Sequence, residues 1–255
     1  MSRAIWQDLA ALTPARIGLG RTGAAQTTDQ TLRFALAHAM ARDAVHAPFD
    51  AERVAAAIAA LGPATVLVES AADTRQTYLL RPDLGRRLSA ASRDRLAQVA
   101  GEAVDLALVV GDGLSSSAVH AHAAATVAAL MPHVAREGWS LAPVVVARQA
   151  RVALADEIGE ILGARLVLML IGERPGLSTP DSLGLYLTHG PRIGRNDGER
   201  NCISNVHGAG LPPEVAAFKA AWLMREALAR RLSGVALKDE SDGALGAAGG
   251  HATIG

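Results

Sequence analysis

Leu166-Val167-Leu168-Met169-Leu170-Ile171, followed at once by Gly172-Glu173-Arg174-Pro175-Gly176, decides how this chain is to be read. A short apolar run bounded by turn residues fits a strand buried on both faces, although periodicity alone leaves a short helix open. Two glycines and a proline then force a turn. In an open α/β sheet, the turn after a strand's carboxyl end is where ligands bind. Downstream, Ser178-Thr179-Pro180-Asp181-Ser182 reads as a helix start, with the proline tolerated in the first turn. Gly184 to Thr188 reads as a second strand. The stretch from there to Asn201-Cys202-Ile203-Ser204-Asn205 reads as a long polar loop, either functional or an ordinary surface connection.

Working outward, the same alternation recurs. Asp50 caps a helix to about Leu61, and Ala64 to Val68 is a strand candidate. Ser89 to Ala100 is helical, Val104 to Val110 a buried strand, Ser115 to Arg136 a long helix, and Ala142 to Ala147 a strand. Leu154 to Leu162 is a helix, and Leu211 to Leu232 closes the fold as another. Strands alternating with helices predict an α/β chain with a mostly parallel sheet flanked by helices. Three segments follow: residues 1–48 as a helical lead-in, 49–240 as the α/β domain, and 241–255 as a glycine-rich tail expected to be disordered.

Half of the 255 residues are apolar, enough for a substantial core, and the net charge is zero. Nothing in that balance predicts a nucleic-acid or acidic-membrane footprint. No run reaches the ~18 apolar residues of a membrane span, and the opening MSRAIWQDLAALTP lacks the apolar centre of a secretory signal. Cys202 is the single cysteine, which excludes an internal disulfide and favours a cytoplasmic location.

Several motifs bear on chemistry. Gly18-Leu19-Gly20-Arg21-Thr22-Gly23 is a literal GxGxxG. It marks a dinucleotide site only between a strand and a helix, and Leu12 to Ile17 makes a poor strand. Gly111-Asp112-Gly113-Leu114-Ser115 stands between a strand and a helix. Either its amides and Ser115 to Ser117 receive an anionic or amide-bearing ligand, or Asp112 and Ser115 merely cap the helix. His120 and His122, two apart on a helix, cannot share an ion there, and neither HExxH nor paired cysteines occur, so no protein-built metal site is expected. Cys202 as a nucleophile would need His189 or His207 at hand. If the strands are parallel, the turns at 111–115, 147–153 and 172–178 line one rim.

IGERPGLSTPDSLGLYLT and RNCISNV closely resemble the small subunit of ethanolamine ammonia-lyase, the adenosylcobalamin-dependent enzyme of ethanolamine utilisation. The resemblance continues through LTPARIGLGRTG, FALAHAMARDAVHA, TYLLRPDLGRRL, VVGDGLS, ARVALADEIGE and LSGVALKDE, in the family's order, from about Leu12 to Glu240. It implies a Rossmann-like fold and a large-subunit partner, a TIM barrel that binds ethanolamine and carries out its conversion to acetaldehyde and ammonia. It also implies a hetero-oligomer with adenosylcobalamin held between the subunits. By motif, the cobalamin contacts fall on Val152 in ARVALADE, Glu173 in IGERPG and Cys202 in RNCISN; no catalytic residue is assigned to this chain. The Asp-x-His-x-x-Gly motif of related cobalamin mutases does not occur, so the cofactor is expected base-on. Packaging in a bacterial microcompartment, linked in some relatives with a longer N-terminal extension, is left open, because this chain starts close to the shared core. The rival readings are an autonomous nucleotide-dependent Rossmann-type oxidoreductase and a purely structural partner.

Overall fold

A computed structural model describes residues 3–13 and 15–243. The chain opens with α1 (Arg3–Ala11), a two-residue-per-strand hairpin of β1 (Arg21–Thr22) and β2 (Ala25–Gln26), and α2 (Thr28–His46). The α/β part runs α3 (Ala51–Ala59), β3 (Thr65–Glu69), α4 (Arg75–Leu80), α5 (Ala90–Val99), β4 (Val104–Gly111), α6 (Ser116–Glu137), β5 (Val144–Arg148), α7 (Leu154–Ile161) and β6 (Ala164–Gly172). It then turns through β7 (Leu183–His189) and β8 (Arg200–Val206) into α8 (Pro213–Arg230).

Six strands form one sheet in the order β3-β5-β4-β6-β7-β8. The first four are parallel; β7 and β8 are antiparallel additions beside β6. The mixed α/β class and the mostly parallel sheet are therefore borne out. Strand periodicity divides the core in two. Leu106, Leu108 and Val110 of β4, with Leu166, Leu168 and Leu170 of β6, face α3, α6 and α8. Ala107 and Val109, with Val167, Met169 and Ile171, face the opposite side, where α5 and α7 pack. Both faces are covered, which is why the central strands read as unbroken apolar runs.

Capping side chains fix several helix starts. Asp50 accepts from Arg53 N at 2.9 Å, Ser89 from Ser92 N at 3.2 Å and Ser115 from Ala118 N at 3.2 Å. Each cap leaves the first turn of its helix with fewer unpaired donors.

Two readings of the sequence need correction. No helix starts at Ser178 to Ser182. Residues 173–182 instead form the wide connection of a β6–β7 hairpin, closed by Glu173 N to Ser182 O at 2.9 Å and Gly176 N to Thr179 O at 3.0 Å. Pro180 fits a turn as well as a first helical turn, and strand pairing decided between them. Asn201 to Asn205 are not a loop but lie within β8, at the sheet margin, where Ile203 and Val206 are buried while Cys202, Ser204 and Asn205 are exposed. GxGxxG, already discounted for its poor preceding strand, does not stand in the context a dinucleotide site needs. Its Arg21-Thr22 pair is itself strand β1, hydrogen-bonded antiparallel to β2, so no parallel strand delivers the chain to these glycines.

Ser241 is buried and its hydroxyl lies 3.2 Å from Lys219 Nζ, whereas residues 244–255 of the glycine-rich tail lie outside the described residues. No helix among the described residues is long and apolar enough to cross a membrane.

Candidate functional site

Because β4, β5 and β6 are parallel, their carboxyl ends open on one rim, and the turns that follow meet there. Gly113 and Gly172 make the meeting possible. A Cβ on Gly113 would stand 2.1 Å from Gly172 O, and one on Gly172 would stand 2.1 Å from Ser115 O. Leu114 N donates to Gly172 O at 2.9 Å across this contact. Two turns from separate strands are thus locked backbone to backbone, an approach that any side chain would block.

Beside the lock lies a cleft of about 390 Å³, with walls that include Tyr78, Arg151, Val152, Ile171, Glu173 and Tyr186. That volume falls in the range of ligand pockets, roughly 300–1,000 Å³. Tyr78 is fully buried and donates its hydroxyl to Ala150 O at 3.0 Å. The guanidinium groups of Arg75 and Arg151 lie 4.8 and 4.1 Å from its ring centre. Stacking of this kind holds cations against a π face and keeps their remaining N–H groups available.

Glu173 leaves β6 on the side that Ile171 faces. Its Oε2 accepts from Ser182 Oγ at 2.5 Å and from Asn205 N at 3.2 Å. Its Oε1 has no hydrogen-bond partner among the described residues. Gly184 makes room for that free oxygen, since a Cβ there would stand 2.9 Å from Oε1 and 3.0 Å from Tyr186 Cε2.

Tyr186 continues the wall onto β7, and its register partner on β8 is Cys202. Residues directly opposite in an antiparallel pair project to the same face, so Cys202 shares the side of Tyr186. Burial pushes the Tyr186 phenol well above its ordinary pKa, with the neighbouring Cys202 adding to the effect. Cys202 reaches solvent, yet the protein packed round its sulfur raises the thiol's pKa too, and Tyr186 only partly offsets this. A thiol held protonated is a poor nucleophile.

The structure thus places Val152 and Glu173 in one cleft and Cys202 on the adjoining strand surface, one register partner away from the cleft wall. Sequence reasoning missed Tyr78, Arg151, Ser182, Gly184 and Tyr186. Tyr186 carried a signal, as the one aromatic residue set among the leucines of its strand. The others depend on register and on loop packing.

An open, mostly parallel sheet with a ligand-sized cleft at its carboxyl rim defines a Rossmann-like α/β chain. The family model described as ethanolamine ammonia-lyase light chain (EutC) matches residues 3–238. The ethanolamine ammonia-lyase small subunit of Rhodopseudomonas palustris (strain BisA53) is 60% identical over 235 residues, covering 92% of this chain and 90% of the relative. That of Bradyrhizobium diazoefficiens (strain USDA 110) is 59% identical over 235 residues, with the same coverage of both. That of Xanthomonas campestris pv. campestris (strain ATCC 33913) is 55% identical over 243 residues, covering 94% of this chain and 89% of the relative. The chain belongs to the ethanolamine ammonia-lyase light-chain family, and its enzyme class is that of the lyases. The resemblance first carried by IGERPG and RNCISN is borne out.

Proposed function

We propose that this chain is the small subunit of an adenosylcobalamin-dependent ethanolamine ammonia-lyase, holding part of the cobalamin against a catalytic large subunit. The enzyme so formed converts ethanolamine to acetaldehyde and ammonia. Val152, Glu173 and Cys202 are the proposed cofactor contacts, and the cofactor is held base-on. The reading is supported above all by one observation: Val152 and Glu173 face a single cleft whose strand wall continues to Cys202.

The residues fit such a group. Glu173 Oε1 is an unengaged carboxylate oxygen, able to accept N–H or O–H donors from the amide side chains or ribose of a cobalamin. Its other oxygen is pinned by two bonds, so the acceptor is held in place before a ligand arrives. Val152 and Ile171 supply dry walls that a bulky planar ligand needs along an edge. At about 390 Å³ the cleft can enclose only part of a corrinoid, which suits a site completed by a second chain.

When bound, adenosylcobalamin supplies the radical chemistry that the reaction requires. The work of this chain is to bind, orient and exclude water. The Gly113–Gly172 lock fixes the base of the cleft, Tyr78 with its two stacked arginines fixes one side, and Glu173 fixes the polar contact. No group here is assigned a proton-transfer role, and the assembly is proposed to act in the cytoplasm.

The test is co-expression with a large subunit, followed by equilibrium cobalamin binding and an ethanolamine assay with and without adenosylcobalamin. Glu173→Ala should weaken cobalamin binding about tenfold, the loss typical of a charge-assisted hydrogen bond. Unchanged affinity, or deamination by this chain alone, would overturn the reading.

A further inference from the structure

A second cleft, of about 340 Å³, opens on the same rim over the junction of β4 and β5, with walls that include His46, Phe49, Arg75, Asp112, Ser116 and Arg148. Its position follows from topology. β4 leads into α6 on one face of the sheet, whereas its neighbour β5 leads into α7 on the other. An open α/β sheet parts into a crevice where adjacent strands send their connections to opposite faces. Arg75 stands between this cleft and the first one. It stacks on Tyr78 and donates from Nη1 to Gly113 O at 2.8 Å and to Asp112 Oδ2 at 3.2 Å.

Two donors in the walls of the second cleft have no partner among the described residues: Ser116 Oγ and Arg75 Nη2. Ser116 is only 1% exposed. A buried donor without an acceptor is costly, and most such groups in native proteins are met by a ligand, a water or another side chain. Ser116 is also the first residue of the 22-residue α6, whose early N–H groups have no intrahelical partner. Only Ala118 N is taken up, by the Ser115 hydroxyl. The positive end of a long helix therefore adds to the field of two unpaired donors.

Pairing in the cleft points the same way. Arg148 is taken up by Glu52 and by Phe49 O, and both oxygens of Asp112 already accept bonds, from Ala150 N at 2.9 Å and from Arg75 Nη1, which leaves Arg75 Nη2 without an acceptor. What is lacking is an acceptor.

We propose that this cleft is an oxyanion subsite, receiving carboxylate or phosphoryl oxygens on Ser116 Oγ, the first turn of α6 and Arg75 Nη2. The assignment is independent of the cobalamin reading of the neighbouring cleft. The oxyanion comes either from a free small anion or from the phosphate of a larger ligand seated next door.

Calorimetric titration of the full chain with inorganic phosphate, and separately with acetate, tests it. Saturable binding of at least one anion is expected, weakened about tenfold in Ser116→Ala. That variant removes a hydroxyl with no partner in the fold, so its melting temperature without anion should match the parent. Repeating the titration of the large-subunit complex with adenosylcobalamin present separates the sources. Loss of phosphate binding assigns the oxyanion to the larger ligand, and retained binding assigns it to a free anion; either supports the subsite. No saturable binding of either anion, or equal binding by Ser116→Ala, means the two donors are served by water and ends the proposal.

Discussion

Ser182 Oγ lies 2.5 Å from Glu173 Oε2, bridging the two ends of the connection between β6 and β7. Ser182 is buried and reaches no other part of the cleft wall, so it can influence a ligand only by fixing Glu173. Ser182→Ala is expected to weaken cobalamin binding by the complex about three- to tenfold, the worth of one hydrogen bond. In a Glu173→Ala background the same change should have no further effect, because the intermediary is gone. Ser182→Thr should restore most of the affinity. Additive losses in the double variant would sink the idea.

Gly184→Ala tests the space left for the same carboxylate. Its Cβ would press on Oε1 of Glu173 and the edge of Tyr186, both ends of side chains that can swing away. The fold should survive with a cost of about 1 kcal/mol, while cobalamin affinity falls several-fold as Glu173 is displaced. Thermal melting beside equilibrium binding would separate the two effects. A large melting shift with unchanged affinity would contradict this account.

Arg200 and Asp156 form an ion pair with each side chain only 2% exposed, tying the first turn of α7 to the start of β8. Arg200 also donates to the Asn196 and Arg195 carbonyls. Asp156→Ala strands a buried guanidinium and is expected to cost about 3–5 kcal/mol in denaturant unfolding. Replacing both by Leu and Met should cost far less, since two desolvated charges leave together. Equal losses in the single and double variants would refute this.

Asp112 gives a pH dependence. Burial pushes its carboxyl up to about 6, outweighing Ala150 N and the Arg75 guanidinium, which pull the other way. The unfolded value is near 3.8, so between those limits the folded chain binds the extra proton. The resulting stability is complete below pH 3.8 and is lost as pH rises through 6. Relative to Asp112→Asn, the parent should lose about 2 kcal/mol between pH 4 and pH 7. Urea unfolding of both across that range measures it, and a pH-independent difference between them would count against it.

Much of the fold was legible because the central strands are covered on both faces, so Val104 to Val110 and Leu166 to Ile171 announce themselves as apolar runs. Glu173 was legible through its motif and its place after a strand. β8 was not, since a strand at the sheet margin carries Asn201, Cys202, Ser204 and Asn205 and looks like a loop until pairing with β7 is known. Pro180 misled for a related reason: helix starts and hairpin connections use the same residues. The second cleft was half visible, as the sequence offered a ligand-receiving role for Ser115 to Ser117 or a capping role for Asp112 and Ser115. In the structure Ser115 caps, while its neighbour Ser116 is left over.

After β6 the chain doubles back as an antiparallel hairpin instead of crossing behind the sheet, so no further helix is delivered to the side of the rim next to Glu173. Among the described residues, the cleft has walls but nothing that shuts it. On the proposed function, residence time of an occupant would be a property of the assembly: exchange would wait on the covering subunit lifting away, and a spent coenzyme would leave at the pace of that separation.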